Sequence, residues 1–413
     1  MVQAVNYIVL AIPVFFLLIG VEILIDKLQK SGLYRMNDAI ANLNAGITEQ
    51  VTGAFLKLFV VGVYVVCYER MRIFTIPQNV ATWVILFIGV DFFYYWFHRY
   101  AHEINVLWGG HVVHHQSEEY NLSVALRQGA FQKFGSFAFY LPLAWMGFNP
   151  VMFIVVSQFQ TLYQFWIHTK TIQQLPRLIE LIFNTPSHHR VHHGRNPKYI
   201  DRNHGGTLII WDRMFGTFQK EEEEVVYGIT KPLNTWNPLR AQFDFWKNMF
   251  IDLSKTKSFV NKCKLLIKPP GWYPQELGGP QKVQEVTAST AQKYDTHIPL
   301  QLNYYILSQF IVILGLTSYF LFTYEQQHIQ LNILLASLVI FSITCIGGLL
   351  ETKFWAYVCE IFRLAIYPIV FFNLANSAVL QLDTMLWVYI TAGIHAVVLF
   401  LFIPFRKYFK KNT

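Results

Sequence analysis

The chain has 413 residues, 54% of them hydrophobic, 17% aromatic and only 14% charged, whereas soluble domains carry roughly a quarter charged residues. That shortage of charge excludes an ordinary water-facing globule and makes lipid part of the solvent. The net charge of +8 sits beside apolar runs, not in one soluble stripe, so it reads as the inside-positive bias of membrane proteins and attraction to anionic headgroups, and no nucleic acid is expected as a partner.

A bilayer span needs ~20 mostly apolar residues. In chain order the first candidate is Tyr7–Ile25. No Lys or Arg precedes it and no small-residue cleavage site follows, so it reads as a retained span, not a signal peptide. Val51–Tyr68 and Ala81–Phe97 come next, then Phe134–Gly147 and Val151–Ile167, a hairpin broken at Asn149-Pro150. Four more runs close the chain: Tyr304–Phe322, Leu331–Leu350, Phe362–Leu380 and Met385–Ile403. The pattern predicts an all-α polytopic helical bundle.

Basic residues orient these runs. Lys27, Lys30 and Arg35 follow the first; Lys353 and Arg363 flank the loop between the seventh and eighth; Arg406, Lys407, Lys410 and Lys411 follow the last. With an odd number of spans these segments share the cytoplasmic face, against which Arg70 and Arg72 run. The same scheme places the histidine-rich segments 98–133 and 168–300 on that face, as a cytoplasm-facing di-metal cap. Three regions are expected: a membrane-embedded catalytic domain at 1–250, a polar cytoplasmic linker at 251–300 with Pro269-Pro270-Gly271 and Gly278-Gly279-Pro280 as breakers, and a four-span module at 301–413. That last module shows no cluster of ionisable groups and reads as an anchor or wall. The acidic run Glu221–Glu224 reads as a solvated turn.

Eleven of the fourteen histidines lie between residues 98 and 204. His98 and His102 are spaced i, i+4. His111, His114 and His115 are spaced i, i+3, i+4, and His189, His192 and His193 repeat that pattern. On a helix these offsets put side chains on one face about 5–6 Å apart at Cβ, close enough for two imidazoles to reach one metal or a close metal pair. Eight nitrogens exceed what one ion uses, so a dinuclear centre is expected. H-E-x-x-H is absent, which argues against hydrolytic zinc; an all-imidazole pair suits iron in oxygen chemistry, although imidazole also suits zinc and copper. The four cysteines, Cys67, Cys263, Cys345 and Cys359, have no C-x-x-C spacing and read as small buried hydrophobes. No nucleotide-binding fingerprint is present, so any reductant is external.

Single residues extend the constellation. His168 closes the fifth run and is expected as a ninth ligand. His188 is open between a supporting or proton-relay role and ligation, and His204 is open as well. Asp91 shares a helical face with Tyr95, His98 and His102. An acid inside a span normally has a partner, and metal-bound histidines commonly donate their second N–H to a carboxylate. Asp91 is therefore expected to anchor the first cluster. Glu103, beside His102, is open between supporting the cluster, ligating the metal and contacting a cofactor. Residues 206–218, with Trp211, Phe215 and Phe218, read as an interfacial amphipathic segment, either an anchor or a wall of the substrate entrance.

Together, H-x-x-x-H, H-x-x-H-H and H-x-x-H-H embedded in membrane runs resemble the fatty acid hydroxylase (sterol desaturase) superfamily of membrane di-iron enzymes. The stretches HRYAHEINVLWGGHVVHHQSEEYNLSVALRQ and NTPSHHRVHHGRNPKYIDRNHGGTLIIWDRMFGTF are similar to its alkylglycerol monooxygenase branch. The resemblance is specific over about residues 80–250 and weak over the first fifty and the last 160. It implies two cytoplasm-facing irons, O₂ as co-substrate, and hydroxylation of an ether lipid at the carbon beside the ether oxygen, giving a fatty aldehyde and a glycerol product. Its eight-histidine motif falls on His98, His102, His111, His114, His115, His189, His192 and His193. Glu103 matches the acid that follows the first pair, and tetrahydrobiopterin is implied as reductant by the resemblance alone. His204 departs from the pattern, standing where an aromatic is expected. The resemblance leaves either a bacterial inner membrane or the endoplasmic reticulum as the location. Two rival readings are a hydroxylase or desaturase of another lipid (sterol, carotenoid or acyl chain) and, in a different class, a membrane metal transporter. A transporter would place its ligands mid-membrane across several spans; here they cluster at span ends.

Overall fold

The computed structural model describes residues 6–375 and 384–409, with side chains left aside at 372–375 and 384–388. The described residues are helical, with two isolated β-bridges and no strand. They divide into two compact units. One comprises the residues up to Asn234 together with Ala241–Tyr294, and the other Thr235–Arg240 with the residues from Asp295 onward.

In the first unit, α1 (Tyr7–Gln29) starts where the Asn6 side chain accepts from the Val9 N–H. It ends at Lys30, whose backbone is left-handed. Helix α2 (Met36–Met71) has 36 residues and is therefore about 54 Å long, well beyond the ~30 Å of a hydrocarbon core. Only its second half is the run expected at 51–68. The first half is polar yet buried, with Asp38, Asn42, Asn44, Thr48 and Glu49 turned into the protein. Helix α3 (Val80–Glu103) is capped by Asn79 and passes without interruption from apolar residues into the His98/His102 pair. Ile104, in extended conformation, then breaks the direction before α4 (Asn105–His115).

A short turn α5 (Leu122–Ala125) leads to α6 (Gln132–Met146) and α7 (Pro150–Trp166). The hairpin between these two turns at Gly147, in left-handed conformation, and restarts at Asn149, which caps α7 ahead of Pro150 at the first helical position. The two helices have 15 and 17 residues, about 22 and 26 Å, so each falls short of a full crossing. Seven described helices are long and apolar enough to span a membrane, and the protein is a multi-pass membrane protein. The expected count of nine is corrected on this pair. Removing both arms of one hairpin leaves the parity of the remaining spans unchanged.

Helix α3 is central, packing on α4, α6 and α7, while α2 packs on α6 and α1 on α7. Leu86, Val90, Leu143, Met152 and Val156 form the shared core. Short helices α8 (Arg177–Ile182), α9 (Pro186–His192) and α10 (Ile210–Phe215) lie within a long irregular segment, followed by α11 (Pro238–Lys255) and α12 (Phe259–Ile267). The stretch expected as a linker makes specific contacts: Lys293 pairs with Glu119 at 2.6 Å, and the Asn105 N–H donates to the Lys268 carbonyl.

The second unit is built from α13 (Leu300–Thr323), α14 (Ile329–Leu350), α15 (Phe354–Ala375) and α16 (Thr384–Phe402), each packed on the next. Residues 376–380 of the expected eighth run, and Lys410 and Lys411, lie outside the described residues. The expectation of no ionisable cluster here is corrected. Glu360 and Arg363, both fully buried, form an ion pair joined by Gln309 and by the Tyr305 hydroxyl. Their spacing, i, i+3 on one helix, is the signal that was available in the sequence.

Candidate metal centre

Three short helical stretches carry the ligand-spaced histidines. Helix α3 presents His98 and His102 in its last turns, α4 ends on His111, His114 and His115, and α9 with the capping residue His193 that follows it presents the third set. His168 follows α7 by two residues. The chain thereby gathers nine buried histidines into two groups. His98, His102, His111, His115 and His192 form one, and His114, His168, His189 and His193 the other, with one nitrogen from each ring lying within 4.8 Å of those of its group.

Tautomer logic shows what these nitrogens offer. His98 Nδ1 faces the His204 carbonyl at 2.8 Å, His111 Nδ1 the Gln132 amide oxygen at 2.9 Å, His114 Nδ1 the Arg127 carbonyl at 2.8 Å, and His168 Nδ1 the Gln164 carbonyl at 2.7 Å. His192 Nδ1 faces the Arg202 carbonyl at 3.0 Å. Each acceptor assigns the proton to Nδ1 and leaves a lone pair on Nε2. Those lone pairs then meet in two places, His98 to His111 at 3.0 Å and His114 to His168 at 3.2 Å, and His115 Nε2 lies 3.1 Å from His111 Nε2 and His189 Nε2 3.0 Å from His168 Nε2. Facing lone pairs have no proton to share. Nitrogens about 2.1 Å from one ion, at adjacent positions, are about 3 Å apart.

Unsatisfied atoms agree. His102 Nε2, His192 Nε2, His193 Nε2 and His189 Nδ1 are buried without a hydrogen-bond partner, which is costly in a protein interior. Both groups therefore fit a metal ion, held by neutral imidazoles. Burial, reinforced by neighbouring imidazoles, keeps His114, His115, His189, His192 and His193 well below the ordinary histidine value. Burial likewise lowers His111 to about 3 and His168 to about 4.

The surrounding wall is aromatic. Trp108 lies 4.9 Å from the His102 ring centre, and Tyr120 lies 5.3 Å from His193 and stacks on Tyr227. Phe92, Trp96, Trp211 and Phe215 join α3 to α10; Met214 of α10 is exposed, as are Leu178 and Leu181 of α8, which is tied to α10 by Arg213 donating to the Glu180 carbonyl.

Of the two acids, Asp91 differs from expectation. Asp91 touches no histidine: it accepts from the Thr207 and Leu208 N–H groups, the Trp211 indole and the Gln160 amide. These donors use up its oxygens, so the Nδ1 protons of the cluster go to carbonyls instead. Glu103 turns away from the rings into an ion pair with Arg99 at 2.9 Å and is about a third exposed. His188 also points away, towards Glu180 and Thr185, and burial lowers it to about 4. His204 lies beside the five-histidine group but is not one of it.

Sequence reading missed several supports. Gln132 fixes His111, and Asp201, in left-handed conformation, lies 3.5 Å from His102 Nδ1. Asp212, fully buried, accepts from the backbone of His204 and Gly205 and from the Thr217 hydroxyl. Its place in WDRMFGTF was visible, but its partners lie across a loop.

With this geometry in hand, comparison with known proteins places the chain. The family description "Fatty acid hydroxylase" matches residues 83–217, which contain both groups. Alkylglycerol monooxygenase of Homo sapiens is 40% identical over 369 residues, covering 87% of this chain and 81% of that protein. The Danio rerio protein of the same name is 40% identical over 362 residues, covering 87% and 80%. An ornithine lipid hydroxylase of Rhizobium tropici is 29% identical over 136 residues, a third of this chain. No solved structure matches.

Proposed function

We propose, on the premise that this chain belongs to the alkylglycerol monooxygenase family of membrane fatty acid hydroxylases, that it inserts one oxygen atom of O₂ into the C–H bond beside the ether oxygen of an alkylglycerol lipid. The balance is R–CH₂–O–R′ + O₂ + 2e⁻ + 2H⁺ → R–CH(OH)–O–R′ + H₂O. The hemiacetal then separates into a fatty aldehyde and a glycerol product. The observation that carries this reading is the convergence of neutral imidazole lone pairs into two adjacent buried groups.

Iron is the metal proposed for both groups, one ion in each, and it would supply the oxygen-activating chemistry that no side chain can. The chain's own residues do the rest. Carbonyls of Arg127, Gln164, Arg202 and His204, with Gln132, hold the rings as Nδ1–H tautomers. Trp108 and Tyr120 keep bulk water off the two groups. The aromatic wall of Phe92, Trp96, Trp211 and Phe215 adjoins exposed apolar side chains of α8 and α10, a route by which a lipid tail enters from the bilayer. Glu103, paired with Arg99 beside His102, is the proposed contact for an external reductant, tetrahydrobiopterin by family resemblance. The catalytic face is proposed to be cytoplasmic, following the basic segments at span ends, in the endoplasmic reticulum or a bacterial inner membrane.

Metal analysis joined to a lipid assay on the purified chain tests this. Iron near one ion per histidine group, with alkylglycerol consumed and aldehyde formed only when O₂ and a tetrahydropterin are both present, is the expected result. Zinc in place of iron, with no O₂ uptake, would overturn it. Turnover of a sterol or acyl lipid instead would move the substrate assignment within the superfamily.

A further inference from the structure

His204 is the residue whose surroundings the ligand groups leave unexplained. Its side chain is fully buried, yet neither ring nitrogen has a hydrogen-bond partner. Asp212 does not serve: its nearer oxygen lies 3.8 Å from Nδ1 and already accepts from the His204 N–H and the Thr217 hydroxyl at 2.7 Å each. A buried imidazole with two unpaired nitrogens is a costly arrangement.

The position of the ring is fixed from three sides. Asp212 pins the backbone N–H of His204, and the carbonyl of the same residue receives His98 Nδ1. The preceding Asn203 is held in left-handed conformation, with its amide donating to the His188 and Gln219 carbonyls. Gly205 and Gly206 follow in a space where side chains would not fit, since a Cβ on Gly205 would lie 2.5 Å from the Leu208 carbonyl oxygen and one on Gly206 2.8 Å from the Tyr94 ring. So placed, the His204 ring centre lies 5.2 Å from His102, 5.7 Å from His98 and 5.8 Å from His192. Tyr95, whose ring centre lies 6.3 Å from that of His204, stacks on Phe215 of the aromatic wall. His204 thus adjoins both Tyr95 at the wall and the His98, His102 and His192 side of the five-histidine group.

We propose that His204 is a positioning residue for that group: its neutral ring donates a hydrogen bond to the small exogenous ligand (O₂, or an anion such as azide) that binds there on the side facing the aromatic wall. The bound ligand supplies the partner that the protein withholds from this ring. This distinguishes the two groups functionally, assigning ligand binding to the five-histidine one. The inference rests on the metal reading above.

Azide titration of the iron-loaded ferric protein, followed by its charge-transfer absorption and alongside iron analysis, tests it on the full chain. His204→Phe removes the donor while keeping a planar ring. It is expected to retain full iron and to bind azide about five- to tenfold more weakly, the loss of one hydrogen bond. His204→Asn, which restores an N–H donor, is expected to recover part of that affinity. Unchanged azide affinity in His204→Phe would overturn the proposal and leave the ring a packing group. Loss of iron in both variants would overturn it by making His204 a ligand. A wild-type protein that takes up no iron would sink the metal reading itself, an outcome distinct from either.

Discussion

At the scale of single residues, the donors of the centre are legible in the sequence and their supports are not. Ligand-spaced histidines announce themselves through helical offsets, and His168 through its place at the end of a run. The groups that orient them are mostly main-chain carbonyls, those of Arg127, Gln164, Arg202 and His204, and a carbonyl has no side-chain signature. Asp91 illustrates the limit. Helical geometry correctly puts it on the face of His98, but its partners Thr207, Leu208 and Trp211 lie more than a hundred positions along the chain. As an acceptor for four donors it ties α3 to the segment whose carbonyls hold His98 and His192. Asp91→Asn replaces one oxygen by an N–H₂ group facing N–H donors. It is expected to destabilise the protein by about 2–4 kcal/mol, the range for stranding partners of a buried charge. Thermal unfolding in detergent, followed by tryptophan fluorescence, checks this; an unchanged midpoint would show that the loop is held by other contacts.

At the scale of elements, hydropathy finds the apolar runs but misses what continues them. Helix α2 begins fifteen residues before the run that marks it, because its polar first half is buried against protein, and burial against protein leaves no trace in hydropathy. The α6–α7 hairpin is as apolar as the spans but shorter, 15 and 17 residues, a shortfall already visible in the runs at 134–147 and 151–167. Close approach of elements is equally hidden, except at glycine. A Cβ on Gly46 of α2 would lie 2.2 Å from the Leu126 carbonyl oxygen, next to Arg127, whose carbonyl holds His114 and whose guanidinium bonds Asn42 of α2. Gly46→Ala must therefore push backbone, not a flexible side chain. It is expected to cost at least ~1–3 kcal/mol, as overpacking does, and to lower occupancy of the four-histidine group through His114. Gly53→Ala is the contrasting case on the same helix. Its only tight contact would be the end of the half-exposed Lys133 side chain at 2.9 Å, with the Glu49 carboxylate at ordinary contact distance, so stability and iron content should stay near wild type. Equal losses in the two variants would refute the argument from close approach.

At the scale of the whole molecule, the centre assembles from chain segments between residues 98 and 193 that meet only on folding, so metal binding and stability are linked. In the metal-free protein several buried nitrogens have no partner, and each ring must stay neutral to remain in place. His168 shows the sign. Its folded value of about 4 lies below the ordinary 6.5, so between those values the unfolded chain binds a proton that the folded chain does not. Stability of the metal-free protein therefore falls as pH drops from about 6.5 towards 4, and levels off for this ring below its folded value. Bound metal stabilises the folded state and opposes that loss, although protons compete for the same nitrogens. Chelator-treated protein is thus expected to unfold at a lower temperature than iron-loaded protein at pH 7.5, and its midpoint to fall further on acidification to pH 5.5. Adding back ferrous iron at pH 7.5 should restore the midpoint. Unfolding temperatures of the metal-free protein that do not change across this range would mean that the rings lie where protonation costs nothing, which buried convergence of neutral imidazoles forbids.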